Sequence, residues 1–324
     1  MKAGIFSAGK IAGTFLLAFI LAGCRHPAAS QPAPDAALKR MDAESAGGRR
    51  RNSGRRRKKS QQGSRRGRGG GATPGGGATL DGQVTEDALD EETLCGIGRG
   101  RSCDIQVAVK RGLFETGLEP AFPENLDCPG IDEAWAIDYT YKRDREQYHG
   151  GIDMPTSYGT PIIAAAAGTV VGKYEGRRTM RGREIILRHS PEDTGLPVWT
   201  YTQYAHFDEM PKREVGERVR MGEVLGPTGN SGRQGRRERR PAIHFAVWFS
   251  ADSRYVPRRR KIIPVKGFWM DPIALYRGGP PFDSNSMKAL PEGEKRVPVS
   301  VMTKDGKVTP PGAKVVWPYY CERK

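Results

Sequence analysis

The chain has 324 residues, a net charge of +16, 37% hydrophobic residues and 42 glycines. The charge is uneven. Residues 25–80 carry 14 Lys and Arg against 3 Asp and Glu; with +2 in residues 1–24, only +3 remains for residues 81–324. The composition thus excludes a folded domain that is itself strongly basic, the usual mark of a nucleic-acid binder, and residues 81–324 suffice for one ordinary domain with extensions.

The chain opens with Lys2 and Lys10, followed by an apolar run from Ile11 to Ala22. That run is too short to span a bilayer and has the make-up of a signal-peptide core. It ends in Leu21-Ala22-Gly23-Cys24, which resembles the lipobox of bacterial lipoproteins. The resemblance implies cleavage before Cys24, acylation of its thiol and a lipid-anchored protein in the cell envelope; ordinary secretion is the alternative. Arg25 follows, with no acidic retention residue, so an outer-membrane destination is expected in a cell that has one.

From Arg25 to Leu80, Gly, Ser, Ala and Pro alternate with blocks such as Arg55-Arg56-Arg57-Lys58-Lys59. Too little apolar surface is present to form a core, so a disordered tether is expected. The segment Arg66 to Gly71 resembles RNA-binding glycine-arginine runs, but export argues against nucleic acid as the partner. Anionic lipid headgroups or acidic envelope polymers suit a lipid-tethered basic segment better, and a solvated linker without a partner is the bland reading.

With Cys24 set aside, Cys95, Cys103, Cys128 and Cys321 remain. An even number in an exported chain fits two disulfides, with three possible pairings. The short glycine-rich span between Cys95 and Cys103 favours a local bridge, which leaves Cys128 with Cys321. The spacings do not suit a zinc ribbon or finger. Residues 81–117 read as a small cysteine-containing extension.

Next comes Tyr148-His149-Gly150-Gly151-Ile152-Asp153-Met154-Pro155. Here an imidazole and a carboxylate stand four residues apart on backbone that Gly150, Gly151 and Pro155 keep out of a helix. Both groups can reach one cation such as zinc, which takes nitrogen and carboxylate oxygen together. Beyond it the signals are for strands: 162–171 closed by Gly172, 184–189, 198–204, short strands between glycines in 215–226, and 243–249. An all-β or β-dominated domain is expected. The stretch after Arg277, rich in Gly, Pro and charge, is expected to wrap the surface. His206 and His244 lie in the strand segments Tyr204-Ala205-His206-Phe207 and Ala242-Ile243-His244-Phe245. His189 reads as structural, and His26 as incidental.

Taken together, His149 to Pro155, Gly159 to Ile162, Ala167 to Val171, Tyr204-Ala205-His206, Gly226 to Gly232 and Pro241 to Val247 resemble the lysostaphin-type (LytM-like) zinc endopeptidases. Those enzymes cut peptide bridges in bacterial peptidoglycan. The resemblance covers residues 118–277 and leaves 278–324 as a C-terminal extension. It implies an antiparallel β-sheet domain of the duplicated hybrid motif type, with an open groove and zinc at its floor. His149, Asp153 and His244 match the three zinc ligands, and His206 matches a non-ligand catalytic histidine.

A second such histidine belongs two residues before the last ligand, and that position is Ala242. Side chains two apart on a strand share a face, so Ala242 and His244 face the same way. Three protein ligands leave a fourth position open, as in catalytic rather than structural zinc sites. A positioned acid or base contributes about 10²–10⁴-fold. Losing one imidazole is therefore expected to leave metal binding intact and to cost much of the rate, unless a group from the charged loop Arg233, Arg236, Arg237, Glu238, Arg239 and Arg240 replaces it. The sequence thus supports two functions: a lipid-anchored zinc peptidase acting on peptidoglycan peptides, or a non-catalytic zinc- and wall-binding regulator of other hydrolases.

Overall fold

In the structure, a computed structural model, residues 79–98, 103–130, 141–142, 145–176, 179–233, 235 and 240–324 are described. The signal segment, Cys24, nearly all of the basic tether, and Arg236, Arg237, Glu238 and Arg239 lie outside the described residues.

The centre is a seven-stranded antiparallel sheet. Its strands are β1 Ile152–Pro155, β2 Gly168–Glu175, β3 Arg183–His189, β4 Trp199–Ala205, β5 Arg218–Val219, β6 Ala242–Ser250 and β7 Phe268–Met270. Their order is β5-β2-β3-β4-β6-β7, with β1 pairing to the first half of β6 on the edge that β7 occupies further along. Every residue of β6 is buried. Its sequence AIHFAVWFS accordingly reads as a nearly continuous apolar run rather than the alternation of a one-sided strand. Between β3 and β4, Ser190 and Asp193 form a reciprocal capping box, Pro191 starts the turn, and Gly195 closes it at φ 77°.

The run 162–171 is not one strand. Pro161–Ile163 pairs with Val224–Pro227 in a separate two-stranded ribbon, and β2 starts only at Gly168. The alanines between change partners. Ala165 N–H donates to the Tyr204 hydroxyl at 2.8 Å, while its carbonyl accepts from Val316 N at 2.7 Å. Small side chains let two backbones cross here, which strand propensity does not report. Gly172 sits inside β2 at a register shift rather than at its end.

The C-terminal stretch does not merely wrap the surface. Val301–Thr303, Val308–Thr309 and Tyr320–Arg323 join Leu126–Asp127 in a four-stranded sheet, and Trp317, Tyr319 and Cys321 are buried in the main core. Proline and glycine set the turns of this segment, but its aromatic residues set its place. Disulfides join Cys95 to Cys103 and Cys128 to Cys321. The 81–117 extension supplies two short helices, Glu91–Gly96 and Ile105–Lys110. It packs against the sheet, where the indole N–H of Trp269 donates to the Gly96 carbonyl at 3.0 Å.

Candidate metal centre

The site is built where β6 has a neighbour on both edges. His244 lies directly opposite Asp153 on β1 and opposite Ala205 on β4. Residues paired across a sheet project from the same face, so the carboxylate and the imidazole come together as a cross-strand pair. His149 arrives from the turn before β1. Gly150 takes φ 76°, and Gly151 lies against His244: a Cβ there would fall 2.7 Å from the imidazole Cε1 and from the Phe245 carbonyl oxygen. The two glycines therefore do separate work. One reverses the chain, and the other lets the turn lie on β6.

The result is a triangle of donor atoms. His149 Nε2 is 3.1 Å from Asp153 Oδ1 and 3.1 Å from His244 Nδ1, and His244 Nδ1 is 3.2 Å from Asp153 Oδ1. Asp153 and His244 are buried, while the His149 side chain keeps 13% of its surface. Two imidazoles and one carboxylate form a borderline donor set. Neighbouring donors around tetrahedral zinc stand roughly 3.3 Å apart, given bonds of about 2.0–2.1 Å. The residues present therefore fit a zinc ion, with its outward side left to solvent or substrate.

His206 follows the last residue of β4, and its ring centroid is 5.9 Å from that of His244. It adopts φ 74°, a left-handed conformation uncommon for a residue with a side chain. Neighbouring backbone holds it there, since His206 N–H donates to the Arg181 carbonyl at 3.1 Å. Its Nδ1 lies 2.9 Å from the Ser231 carbonyl oxygen. A carbonyl only accepts, so Nδ1 carries the proton and Nε2 is the nitrogen left for acid–base work. The Gly-Asn-Ser-Gly segment at 229–232 gave no sequence signal for this orienting role, because a backbone carbonyl does it.

Ala242 is buried at the start of β6 opposite Pro155. His189 stands apart from the metal centre: it is fully buried, with Nδ1 2.6 Å from the Ala167 carbonyl and Nε2 2.7 Å from the Thr202 hydroxyl. Burial holds its imidazole down at about 4, so it is neutral and structural. Sequence reasoning missed Tyr319. Its hydroxyl donates to the Met154 carbonyl at 3.1 Å and accepts from Ile243 N–H at 3.3 Å. It thereby ties together the residues next to Asp153 and His244. Its proximity to Cys321 is the one hint that the sequence offered.

Residues 147–256 match the model of peptidase family M23. Over 130 residues, 40% of this chain, the sequence is 35% identical to the DD-carboxypeptidase/endopeptidase Mpg of Neisseria meningitidis serogroup B, of which the match covers 26%. It is 36% identical over 84 residues to an uncharacterized metalloprotease of Haemophilus influenzae, covering 26% of this chain and 16% of that one. The chain thus spans about a quarter or less of the length of these relatives. Among solved structures, the antimicrobial peptidase lysostaphin from Staphylococcus simulans aligns over 54% of this chain and 60% of its own, with 19% identity and a TM-score of 0.31. The segment that holds the three converging donors and His206 is thus the part of the chain that is similar to peptidase family M23.

Proposed function

We propose that this protein is a zinc metallopeptidase acting on peptidoglycan peptides, exported and anchored in the cell envelope through a lipidated Cys24. The observation that carries the peptidase reading is the triangle of His149, Asp153 and His244 donors with an oriented His206 beside it. Zinc held by those three residues would supply a Lewis acid to polarise the scissile carbonyl. His206, its Nδ1 proton committed to Ser231, uses Nε2 to take a proton from the attacking water and deliver it to the leaving amine. The burial of Asp153 and His244 keeps the donors preorganised in a dry floor. The envelope location and the peptidoglycan substrate rest on the lipobox and on the resemblance to lysostaphin-type enzymes. The basic tether fits anionic envelope polymers.

One observation favours a second reading. Ala242 stands where an imidazole would assist, and its removal is expected to cost about 10²–10⁴-fold in rate. A zinc- and wall-binding regulator would need the ligands without that group. Cleavage of purified peptidoglycan by the zinc-loaded protein, His149→Ala and Ala242→His decides between them. Release of peptides by the parent and none by His149→Ala supports the peptidase. Release by Ala242→His alone supports the regulator.

A further inference from the structure

The small net charge of residues 81–324 conceals a strong division. Segments 173–183, 231–240 and 258–261 hold 14 Lys and Arg against 2 Glu, a surplus of 12. Residues 81–324 total +3, so everything else in that span stands at −9.

The fold brings the three segments together at one end of the sheet. Arg233 N–H donates to the Thr179 carbonyl at 2.8 Å, and Arg183 N–H donates to the Ser231 hydroxyl at 3.0 Å. Tyr255–Arg258 and Lys261–Pro264 pair as a hairpin, and Arg260 in its turn reaches the first loop. A Cβ on Gly176 would collide with the Arg260 guanidinium. Arg181, Arg260 and Lys261 all act on the buried carboxyl of Glu184. These cations therefore form one rim rather than three separate patches.

Much of the rim is open to a partner. Arg183 and Arg258 are taken by Glu175 and Glu86, at 3.1 and 2.9 Å. Among the described residues, Arg181, Arg233, Arg259 and Arg260 make no ion pair, and the last three of these are exposed. Like charges held this close repel one another, and an anionic partner relieves that repulsion. Met180 is the one large apolar side chain exposed among the described residues of these segments. No exposed aromatic ring offers a stacking platform for bases. A lone methionine is too little for the core of a protein interface or for insertion into a membrane. An extended acidic chain meets these limits.

The rim continues to the metal centre through the contacts that orient His206. The Arg181 carbonyl accepts its backbone N–H at 3.1 Å, and the Ser231 carbonyl faces its Nδ1 at 2.9 Å. Tyr174, Glu184, Ala205 and His244 stand side by side on neighbouring strands. Three strand spacings, roughly 14 Å, thus separate the metal centre from the strand end that Arg260 reaches. The outer surface of the rim is made by exposed Met180, Arg233 and Arg260, not by buried sheet residues. We propose that this rim makes the protein selective for acidic peptides, holding non-terminal carboxylates within about four residues of the scissile bond. A guanidinium suits that task, since it can take a carboxylate in a two-pronged grip. The placement of the cut rests on the peptidase reading above; the binding of acidic peptides rests on the rim alone.

The test compares a peptidoglycan stem peptide whose internal carboxylates are free with the same peptide carrying them as amides. Both peptides end in a carboxamide. Binding to the full-length zinc-loaded His206→Ala protein is followed by calorimetry. The acidic form should bind about tenfold more tightly at about 20 mM salt, the yield of two exposed ion pairs, and less than about threefold at about 0.5 M. Arg233→Gln, Arg259→Gln and Arg260→Gln, introduced together, should bring the low-salt preference below about twofold with zinc content unchanged. Equal affinities, no binding of either peptide, or a preference that survives the three substitutions and so belongs to the basic tether overturns the proposal. It also falls if those substitutions release long-chain polyphosphate but leave peptide binding as it was. Cleavage by the parent separates the two readings. If the amidated peptide is cut as fast as the acidic one, the peptidase stands and the selectivity falls. If neither is cut while the acidic peptide is still held selectively, the rim stands and the peptidase falls.

Discussion

At Gly151 a missing side chain matters more than any present one. A methyl group there would stand 2.7 Å from both the His244 ring and the Phe245 carbonyl, so either the turn bearing His149 or strand β6 would have to shift. Gly151→Ala is therefore expected to weaken zinc binding by at least tenfold, measured by competition with a chelator, because donors must be held within a few tenths of an ångström. Glu184 gives a second expectation at this scale. Its carboxyl is raised from 4.5 to about 7, with burial as the main cause. A raised acid stabilises the fold fully below its unfolded value, and that contribution is lost as pH rises through about 7. Between about pH 4.5 and 7 the denaturant midpoint of the parent should therefore show a decline beyond the change that buried Asp271 (about 6) and His189 (about 4) impose on parent and variant alike. In Glu184→Gln that decline should be absent. The difference is of the order of 3 kcal/mol if the folded chain ionises fully. An identical slope in the two proteins would refute this assignment. The HxxxD pair was legible in the sequence because both residues lie within one short segment. Their convergence with His244 was not, since it depends on which strand lies beside which.

At the scale of elements, β1 and β6 are kept in register by a residue from another segment. The Tyr319 hydroxyl contacts the Met154 carbonyl, Ile243 N–H and, at 3.2 Å, the Thr228 hydroxyl. Tyr319→Phe leaves the packing and removes those bonds, so stability should drop by about 1–3 kcal/mol and zinc affinity should fall with it. Unchanged zinc affinity would mean that strand pairing alone positions the ligands. The run 162–171 shows why strand boundaries escaped the sequence. Small and β-branched residues favour extended backbone throughout, yet Ala164 and Ala165 bond to Glu223, Val316 and Tyr204, each remote in the chain. By contrast, β4 and β6 were readable almost to their ends, because aromatic and β-branched residues bounded by turn residues fit a strand and little else.

For the molecule as a whole, the C-terminal extension is a structural part of the domain. Trp317, Tyr319 and Cys321 are buried in the main core, and the Cys128–Cys321 bridge spans 193 residues. Truncation after Arg277 should yield insoluble or unfolded protein. Cys321→Ser should retain the fold but lose about 2–5 kcal/mol in chemical denaturation. A soluble, zinc-binding truncation would show that the core closes without this segment.

The sequence by itself determined the β-rich class, the concentration of positive charge in residues 25–80, the His149–Asp153 pair of the candidate metal centre and the short Cys95–Cys103 bridge. Those features rest on composition and on residues close together in the chain. Tertiary structure alone decided the His149–Asp153–His244 triangle, the orienting carbonyl of Ser231, the tie made by Tyr319 and the cationic rim of Arg181, Arg233 and Arg260. Each depends on which segments lie side by side, which brings together residues tens or hundreds of positions apart, and that choice of neighbours is made by the closed core rather than by local propensity.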